Sequence, residues 1–318
     1  MINRFAGWML CLGVLATAAR GEAQDQVKKT ADVFTTEKEA GPDFQIQGEY
    51  EGEIVDVGKY GAQVVALGDG KFDVYFLPGG LPGAGWDTQT RIKIPAQTDA
   101  GQTRLNGNGW SGAIGGGKLT GQNDTGKAFS LQKVKRQSPT LGAKPPQGAL
   151  ILFDGGNADA WQGGKIVEEN LLYCGTRSKE GTSTGKYHFE FRTPFRPKAR
   201  GQGRGNSGVY ILGREIQVLD SFGLTGEKNE CGAYYGQAKP AVNMCYPPLS
   251  WQTYDVEIKP SDKPGTLLST VWHNGVKIHD NFPLNGTPDK KVTINLQNHG
   301  NPVVFRNIWY VPDAAARQ

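Results

Sequence analysis

Glu215, Gln217, Gln297 and His299 are the residues whose types and spacing could do chemistry. Each lies in a stretch that alternates apolar and polar side chains. In Glu215-Ile-Gln-Val-Leu-Asp220, Ile216 and Val218 point one way and Glu215 and Gln217 the other, because successive strand side chains face opposite sides of a sheet. Lys291–His299 repeats the pattern: Ile294 and Leu296 face a core, and Asn295, Gln297 and His299 face away from it. If the two strands share a sheet, a carboxylate, two amides and an imidazole converge on one polar hollow. A carboxylate or an imidazole can move a proton near neutral pH, and amides can hold hydroxyls or a developing oxyanion. Asp220 closes the first strand, Asn206 and Ser207 form a rim on the glycine-rich loop 201–205, and Arg306 could reach the hollow from the last strand.

Elements that position these residues follow from turn signals and alternation. Residues 42–136 read as short strands between glycine turns, Gln45–Val57, Ala62–Leu67, Phe72–Leu77, Thr90–Ile94, Ser111–Leu119 and Phe129–Lys135, with no helical period. This predicts a small antiparallel barrel or sandwich. Trp86 and Trp110 within it could be a sugar-stacking platform or, more in keeping with their type, core and loop anchors. Pro139, Pro145 and Pro146 with Gly142 and Gly148 mark 137–148 as a linker. From 149 onward short strands return without helical crossovers, and Asn274-Gly275 gives a tight-hairpin signal. In Tyr187–Arg192 the aromatic residues go inward, and His188, Glu190 and Arg192 outward to a solvated face. His273 and His279 read likewise as surface residues. The whole is an all-β chain, its C-terminal part an antiparallel sandwich of the jelly-roll type.

Length and composition bound the function. The 318 residues, 45 of them glycine, suit two β-rich domains, and a net charge of +4 is too small to argue for a nucleic-acid partner. Residues 1–23 have the form of a secretory signal, with Arg4, an apolar run from Trp8 to Ala18, and small residues offering a cut; no span remains after cleavage. An exported, periplasmic or extracellular chain is expected, with 24–41 as a flexible tether. Export implies an oxidising compartment, where Cys231 and Cys245, closing a loop after the Asp220 strand, are the expected disulfide, and Cys174 is either a catalytic thiol or, as is more common, a buried structural one. The glycine loop is no nucleotide site, since a strand follows it where a phosphate loop needs a helix N-terminus. Its basic residues Arg196, Lys198, Arg200 and Arg204 read as a solvated rim.

Several motifs together resemble the 3-keto-disaccharide hydrolase domain family. They are Leu152–Gly155 with Trp161, Gly205–Gly208, Glu215–Asp220, Cys231-Gly232 with Tyr235, Trp251–Tyr254, Asn274-Gly275, Leu296–Gly300 and Phe305–Trp309, in family order over roughly 149–312. The resemblance implies a concanavalin A-like lectin/glucanase sandwich and activity on oxidised (3-keto) glycosides, and it adds Tyr235 to the substrate-binding candidates. Asn298 stands where the family pattern has Asp, which removes one carboxylate. A ketone at C3 of a sugar acidifies the C2 proton. A base can remove it, the C1 oxygen leaves by β-elimination, and water adds back, for net hydrolysis. On that reading Glu215 or His299 is the base, Asp220 completes the catalytic set, and Asn206, Ser207, Gln217, Gln297, Arg306 and Tyr235 hold substrate. A divalent metal ion on Glu215, Asp220 and His299 could act as Lewis acid instead. The alternative is a lectin-like carbohydrate-binding protein, in which Glu215 would be spent on an arginine such as Arg192 or Arg306.

Overall fold

In the computed structural model, residues 33–313 are described; the expected signal sequence lies outside them. Strands β1 (Gly48–Ile54), β2 (Gly58–Gly68), β3 (Lys71–Pro78), β4 (Ile92–Asp99), β5 (Gln102–Gly107), β6 (Trp110–Gly115), β7 (Lys118–Gln122) and β8 (Ala128–Val134) pair in sequence order. The first closes on the last antiparallel, from Glu49 opposite Val134 to Ile54 opposite Phe129, so no edge strand is left open. A one-and-a-half-turn helix, α1 (Gly41–Ile46), precedes the barrel where an extended start was expected. Pro42 in its first turn is compatible with helix, having no N–H to waste. The barrel is filled by alternating residues of its strands. Trp110 sits in this core against Phe76 and Phe129, with ring centroids 4.5 and 5.7 Å away, and Trp86 donates Nε1–H to the Thr90 carbonyl. Both tryptophans are thus core or loop anchors.

The rest is a two-sheet sandwich. Its strands are β9 (Leu150–Phe153), β10 (Trp161–Gln162), β11 (Ile166–Val167), β12 (Leu171–Tyr173), β13 (Thr176–Thr182), β14 (Gly185–Arg192), β15 (Ser207–Ile211), β16 (Arg214–Val218), β17 (Gln252–Pro260), β18 (Thr266–His273), β19 (Val276–Asn285), β20 (Val292–Leu296) and β21 (Val304–Pro312). One sheet runs β10-β13-β20-β15-β16. The other runs β11-β12-β21-β14-β17-β18-β19, with β9 on β21. The apolar residues named from alternation meet in the core between them: Ile216, Val218, Ile294 and Leu296 from the first sheet, Tyr187, Phe189, Phe191, Tyr254 and Val256 from the second. Each such side chain removed from water contributes roughly 1.5–3 kcal/mol. The β18–β19 hairpin turns on Asn274 and Gly275 with φ of 50° and 79°, the left-handed pair that only this residue chemistry accepts readily.

The linker and the described part of the expected tether, 33–41, are not free; residues 24–32 lie outside the described residues. Phe34 makes a two-way backbone bridge to Phe195 (3.0 and 2.9 Å). Phe195 and Leu249 of the sandwich join the barrel's own apolar cluster, beside Phe34 and Phe44. The described residues form one compact unit. Segment 137–148 lies along the outer face of the second sheet. There Ser138 Oγ meets Thr253 Oγ1 at 2.6 Å, Thr140 donates to Asp255 at 2.6 Å, and Gly142 N–H donates to Glu190 at 2.5 Å.

This cover corrects the reading of Tyr187–Arg192. The alternation is as expected, but the outward face is not solvated: His188 and Glu190 are fully buried. His188 Nδ1 is 2.7 Å from Asp255 Oδ1, and its ring stacks on Trp309 at 5.0 Å. His273 and His279 are also buried rather than at the surface. Burial pushes His273 down to about 3, so it is a neutral imidazole, 2.9 Å from Gln252 Oε1.

Candidate functional site

The β16–β15–β20 order places the two amphipathic stretches in one sheet with a single strand between them. Tyr210 pairs with Glu215 on one side and Asn295 on the other, and Asn295 pairs in turn with Arg177. Directly paired residues share a face. A row of Glu215, Tyr210, Asn295 and Arg177 therefore crosses the outer side of this sheet. A second row holds Gln217, Gly208 and Gln297, since Gly208 pairs with Gln217 and its carbonyl accepts from Gln297 N–H at 2.9 Å.

Glu215 is half-buried and lies across Gly208: a Cβ there would sit 2.2 Å from Glu215 Oε1, so glycine at 208 is what lets the carboxylate fold over the neighbouring strand. Tyr210 Oη–H donates to Glu215 Oε2 at 2.7 Å, and Gln297 Nε2 donates to Tyr210 Oη at 3.4 Å. With its amide nitrogen turned to the carboxylate, Gln217 donates to Glu215 Oε1 at 3.1 Å and to the Ser207 carbonyl at 2.9 Å. Partial burial raises the Glu215 pKa, more than the Tyr210 hydrogen bond and the nearby His299 lower it. Burial and the adjoining carboxylate likewise push Tyr210 well up, so its proton stays on oxygen. His299 is exposed at the end of the β20 stretch, on the side of Glu215, and Tyr235, exposed beside the β16 edge, acts on Tyr210. Glu215, Gln297, His299 and Tyr235 are thereby brought to one face, whereas Gln217 is buried beneath it, its amide taken up by neighbouring protein groups rather than open to a substrate as expected.

Four further candidates are not used as expected. Asp220 is buried, its Oδ2 accepting from Arg204 Nε at 2.7 Å and its Oδ1 from Phe222 N–H at 3.2 Å. The strand ends at Val218, and the chain turns Asp220 under the glycine loop rather than into the hollow. Arg306 is on the other sheet, 2.7 Å from Glu190 Oε2 and 4.0 Å over the Trp251 ring, so the core lies between it and Glu215. Asn206 and Ser207 are buried and committed to the scaffold. Asn206 Nδ2 donates to Gln202 Oε1 at 2.8 Å, and Ser207 Oγ donates to the Gln297 carbonyl at 2.7 Å. They fix the hollow's floor instead of rimming it.

The metal set does not assemble either. With Asp220 spent on Arg204, Glu215 and His299 are left, and among the described residues no three His, Cys, Asp or Glu side chains are grouped to hold an ion. The expected disulfide is corrected as well: Cys231 and Cys245 are buried neighbours but both are thiols, Cys231 Sγ lying 3.2 Å from Tyr254 Oη and Cys245 Sγ 3.4 Å from the Leu219 carbonyl. Cys174 is a buried thiol, raised to about 11 by burial and donating to the Asn301 carbonyl.

Sequence reasoning passed over Tyr210, Arg177 and Gln202. For Tyr210 the signal was present, since apolar Val209 and Ile211 flank it; Arg177 lies between Thr176 and Ser178, which are polar and show their burial only in the fold. Gln202 carried no such signal, because it sits in the short 3₁₀ turn Gly201–Gly203.

Residues 148–310 match the family described as the 3-keto-alpha-glucoside-1,2-lyase-like domain, just over half of the chain. Among solved structures, a proposed glycosyl hydrolase from Parabacteroides distasonis is similar at 26% identity, over 52% of this chain and 84% of that one, with a TM-score of 0.46. A second proposed glycosyl hydrolase from the same organism is similar at 18% identity, over 52% and 94%, with a TM-score of 0.39. No curated protein matches.

Proposed function

The chain belongs to the 3-keto-α-glucoside-1,2-lyase-like family, and from that premise we propose that it is an exported enzyme that cleaves 3-keto glycosides by elimination and rehydration, with Glu215 as the base. The observation that carries this is the state of the Glu215 carboxylate: half-buried, raised in pKa, held by the Tyr210 hydroxyl, and acted on by His299 rather than by a second carboxylate. Ordinary glycoside hydrolysis uses two carboxyl groups about 5–9 Å apart, one for the leaving group and one for the sugar. Here the other carboxylate proposed from sequence, Asp220, is buried against Arg204. A single base beside neutral and cationic donors suits proton abstraction next to a ketone.

In this reaction Glu215 takes the C2 proton of the 3-keto sugar. Negative charge develops on the C3 oxygen, where Gln297, Asn295 and Arg177 are the donors on the same face. The C2 electron pair then expels the C1 oxygen with its aglycone, His299 supplying the leaving group's proton. Water adds to C1 of the resulting enone, C2 is reprotonated by Glu215, and a free 3-keto sugar results. Tyr210 orients Glu215 and offsets part of the rise that burial gives its pKa. A positioned base contributes about 10²–10⁴-fold and an oxyanion donor roughly 10²–10³-fold. The test is release of aglycone from a 3-keto-glucoside by the wild-type chain and by Glu215→Gln. Cleavage by the first and not the second is expected. Binding of glycans with no cleavage by either would make the protein a lectin.

A further inference from the structure

The basic residues of the glycine-rich loop have no part in the chemistry above; Lys198 and Arg200 keep exposure as a rim would, but Arg204 is buried and all three reach the barrel. Lys198 pairs with Asp69 of the barrel at 2.9 Å, Arg200 Nη2 donates to the Leu67 carbonyl at 3.3 Å, and Arg204 Nη1 to the Ala66 carbonyl at 3.3 Å. Where this loop meets β2 and β3 there is a largely enclosed cavity of about 110 Å³, lined among others by Tyr75, Asp73, Arg200, Arg204 and Asp220. A water occupies about 30 Å³ of the liquid, so the space admits a group of a few non-hydrogen atoms but no sugar ring.

The donors around this cavity exceed the acceptors. Both lining carboxylates are already paired: Asp220 with Arg204 Nε, and Asp73 with Lys93 at 2.8 Å and the Tyr75 hydroxyl at 3.3 Å. Arg200 touches backbone carbonyls only. Arg91, stacked 3.8 Å over the Tyr75 ring, makes its hydrogen bond to the Gly223 carbonyl and no carboxylate contact. Two guanidinium N–H groups are buried without any partner: Nη2 of Arg204, a residue only 5% exposed, and Nε of Arg91. A buried unpaired donor on a charged group is costly, so such groups ask for an acceptor. Burial and the like charge of Arg204 also lower the Arg200 pKa, the mark of a cation short of counter-charge.

We propose that this seam between barrel and sandwich is a site for a small inorganic oxyanion, sulfate or phosphate, held by Arg204 and Arg200. Planar guanidinium groups match such oxygens two at a time. The inference goes beyond the catalytic reading and does not rest on it. The same loop carries Gln202 and Asn206, which are joined by a 2.8 Å hydrogen bond and pack against the Gln217 amide, so an occupied site ties the floor of the hollow to the barrel.

Isothermal titration of the full chain with inorganic phosphate, sulfate and glucose 6-phosphate at constant ionic strength tests this. Saturable one-to-one binding of phosphate and sulfate is expected, at least tenfold weaker in Arg200→Gln, with no binding of the sugar ester. Arg200 is exposed and outside the catalytic face, so this variant folds, as its unfolding midpoint checks. Phosphate should also slow amide exchange over 201–206 in the wild type. No saturable binding, or equal affinity in Arg200→Gln, would overturn the site. Tight binding of the ester would overturn its assignment to a free anion.

Discussion

The two sheets of the sandwich each carry a glutamate and a histidine on their outer face, in opposite states. On the second sheet Glu190 is fully buried. Its oxygens accept from Arg306 Nε (2.7 Å), Asn307 Nδ2 (2.9 Å) and Gly142 N–H (2.5 Å), and His188 lies 3.5 Å away. On the first sheet Glu215 keeps part of its surface in solvent and is held mainly by one hydroxyl. Burial pushes both carboxyls up. At Glu190 the hydrogen bonds outweigh it and hold the group at about 2; at Glu215 they do not, and the pKa stays raised. The residue type and strand position are alike, so what separates the structural carboxylate from the one proposed as base is how much of its acceptor capacity has been used. Glu190 has none left to offer a substrate. A larger cavity, about 470 Å³, adjoins Glu190, yet its carboxylate is consumed by the segment that covers it.

Substituting each glutamate in turn sharpens the contrast most. Glu215→Gln should lower turnover of a 3-keto-glucoside by about 10²–10⁴-fold while leaving the unfolding midpoint in urea nearly unchanged. Glu190→Ala should do the reverse. Removing one partner of a buried pair costs roughly 3–5 kcal/mol, measured by chemical denaturation, with kcat of the folded fraction intact. Equal loss of activity in both variants would erase the distinction between the faces.

A comparable loss of stability separates the seam from the site. Phe195→Ala removes the sandwich side chain that joins the barrel core and should cost about 3–5 kcal/mol of stability, measured as a fall in the urea midpoint, with unchanged pH dependence of activity. Tyr210→Phe should cost activity by a factor of about 10–100, the worth of one hydrogen bond to a charged group. It should also move the acid limb of kcat/KM to higher pH, because Tyr210 lowers the Glu215 pKa.

Stability should respond to pH with opposite sign at the two glutamates. Glu190 is depressed from 4.5 to about 2 on folding, so its stabilisation is present above 4.5 and is lost as pH falls towards 2. Glu215 is raised, so its contribution is present below the unfolded value and is lost as pH rises through the folded one. Urea midpoints of wild type and each glutamate variant across pH 2–7 check both signs.

The face of Glu215 was readable from sequence because strand parity depends only on alternation, and Ile216/Val218 against Ile294/Leu296 left one solution. Parity says which side a residue takes, not what lies over it. His188 and Glu190 were placed on the correct side and still misjudged, because the proline-rich segment 137–148 folds back over them through contacts more than forty residues distant. Asp220 escaped for a related reason: its partner Arg204 sits in an irregular loop with no period to read. Cys231 and Cys245 were brought close as expected, but closeness is not a bond. The short strands of the first unit followed from its glycine turns, whereas the choice of closed barrel over sandwich and the shared core with Phe195 and Leu249 depend on long-range packing.

The central claim is that Glu215 removes a proton from C2 of a 3-keto sugar. It is tested most directly by incubating 3-keto-glucose, labelled with deuterium at C2, with enzyme in ordinary water and following the C2 signal by NMR. Rapid loss of deuterium with the wild type and only the spontaneous rate with Glu215→Gln is the outcome this account predicts. Wash-out at the same rate with both proteins, or cleavage of a 3-keto-glucoside with the C2 deuterium retained, would contradict it.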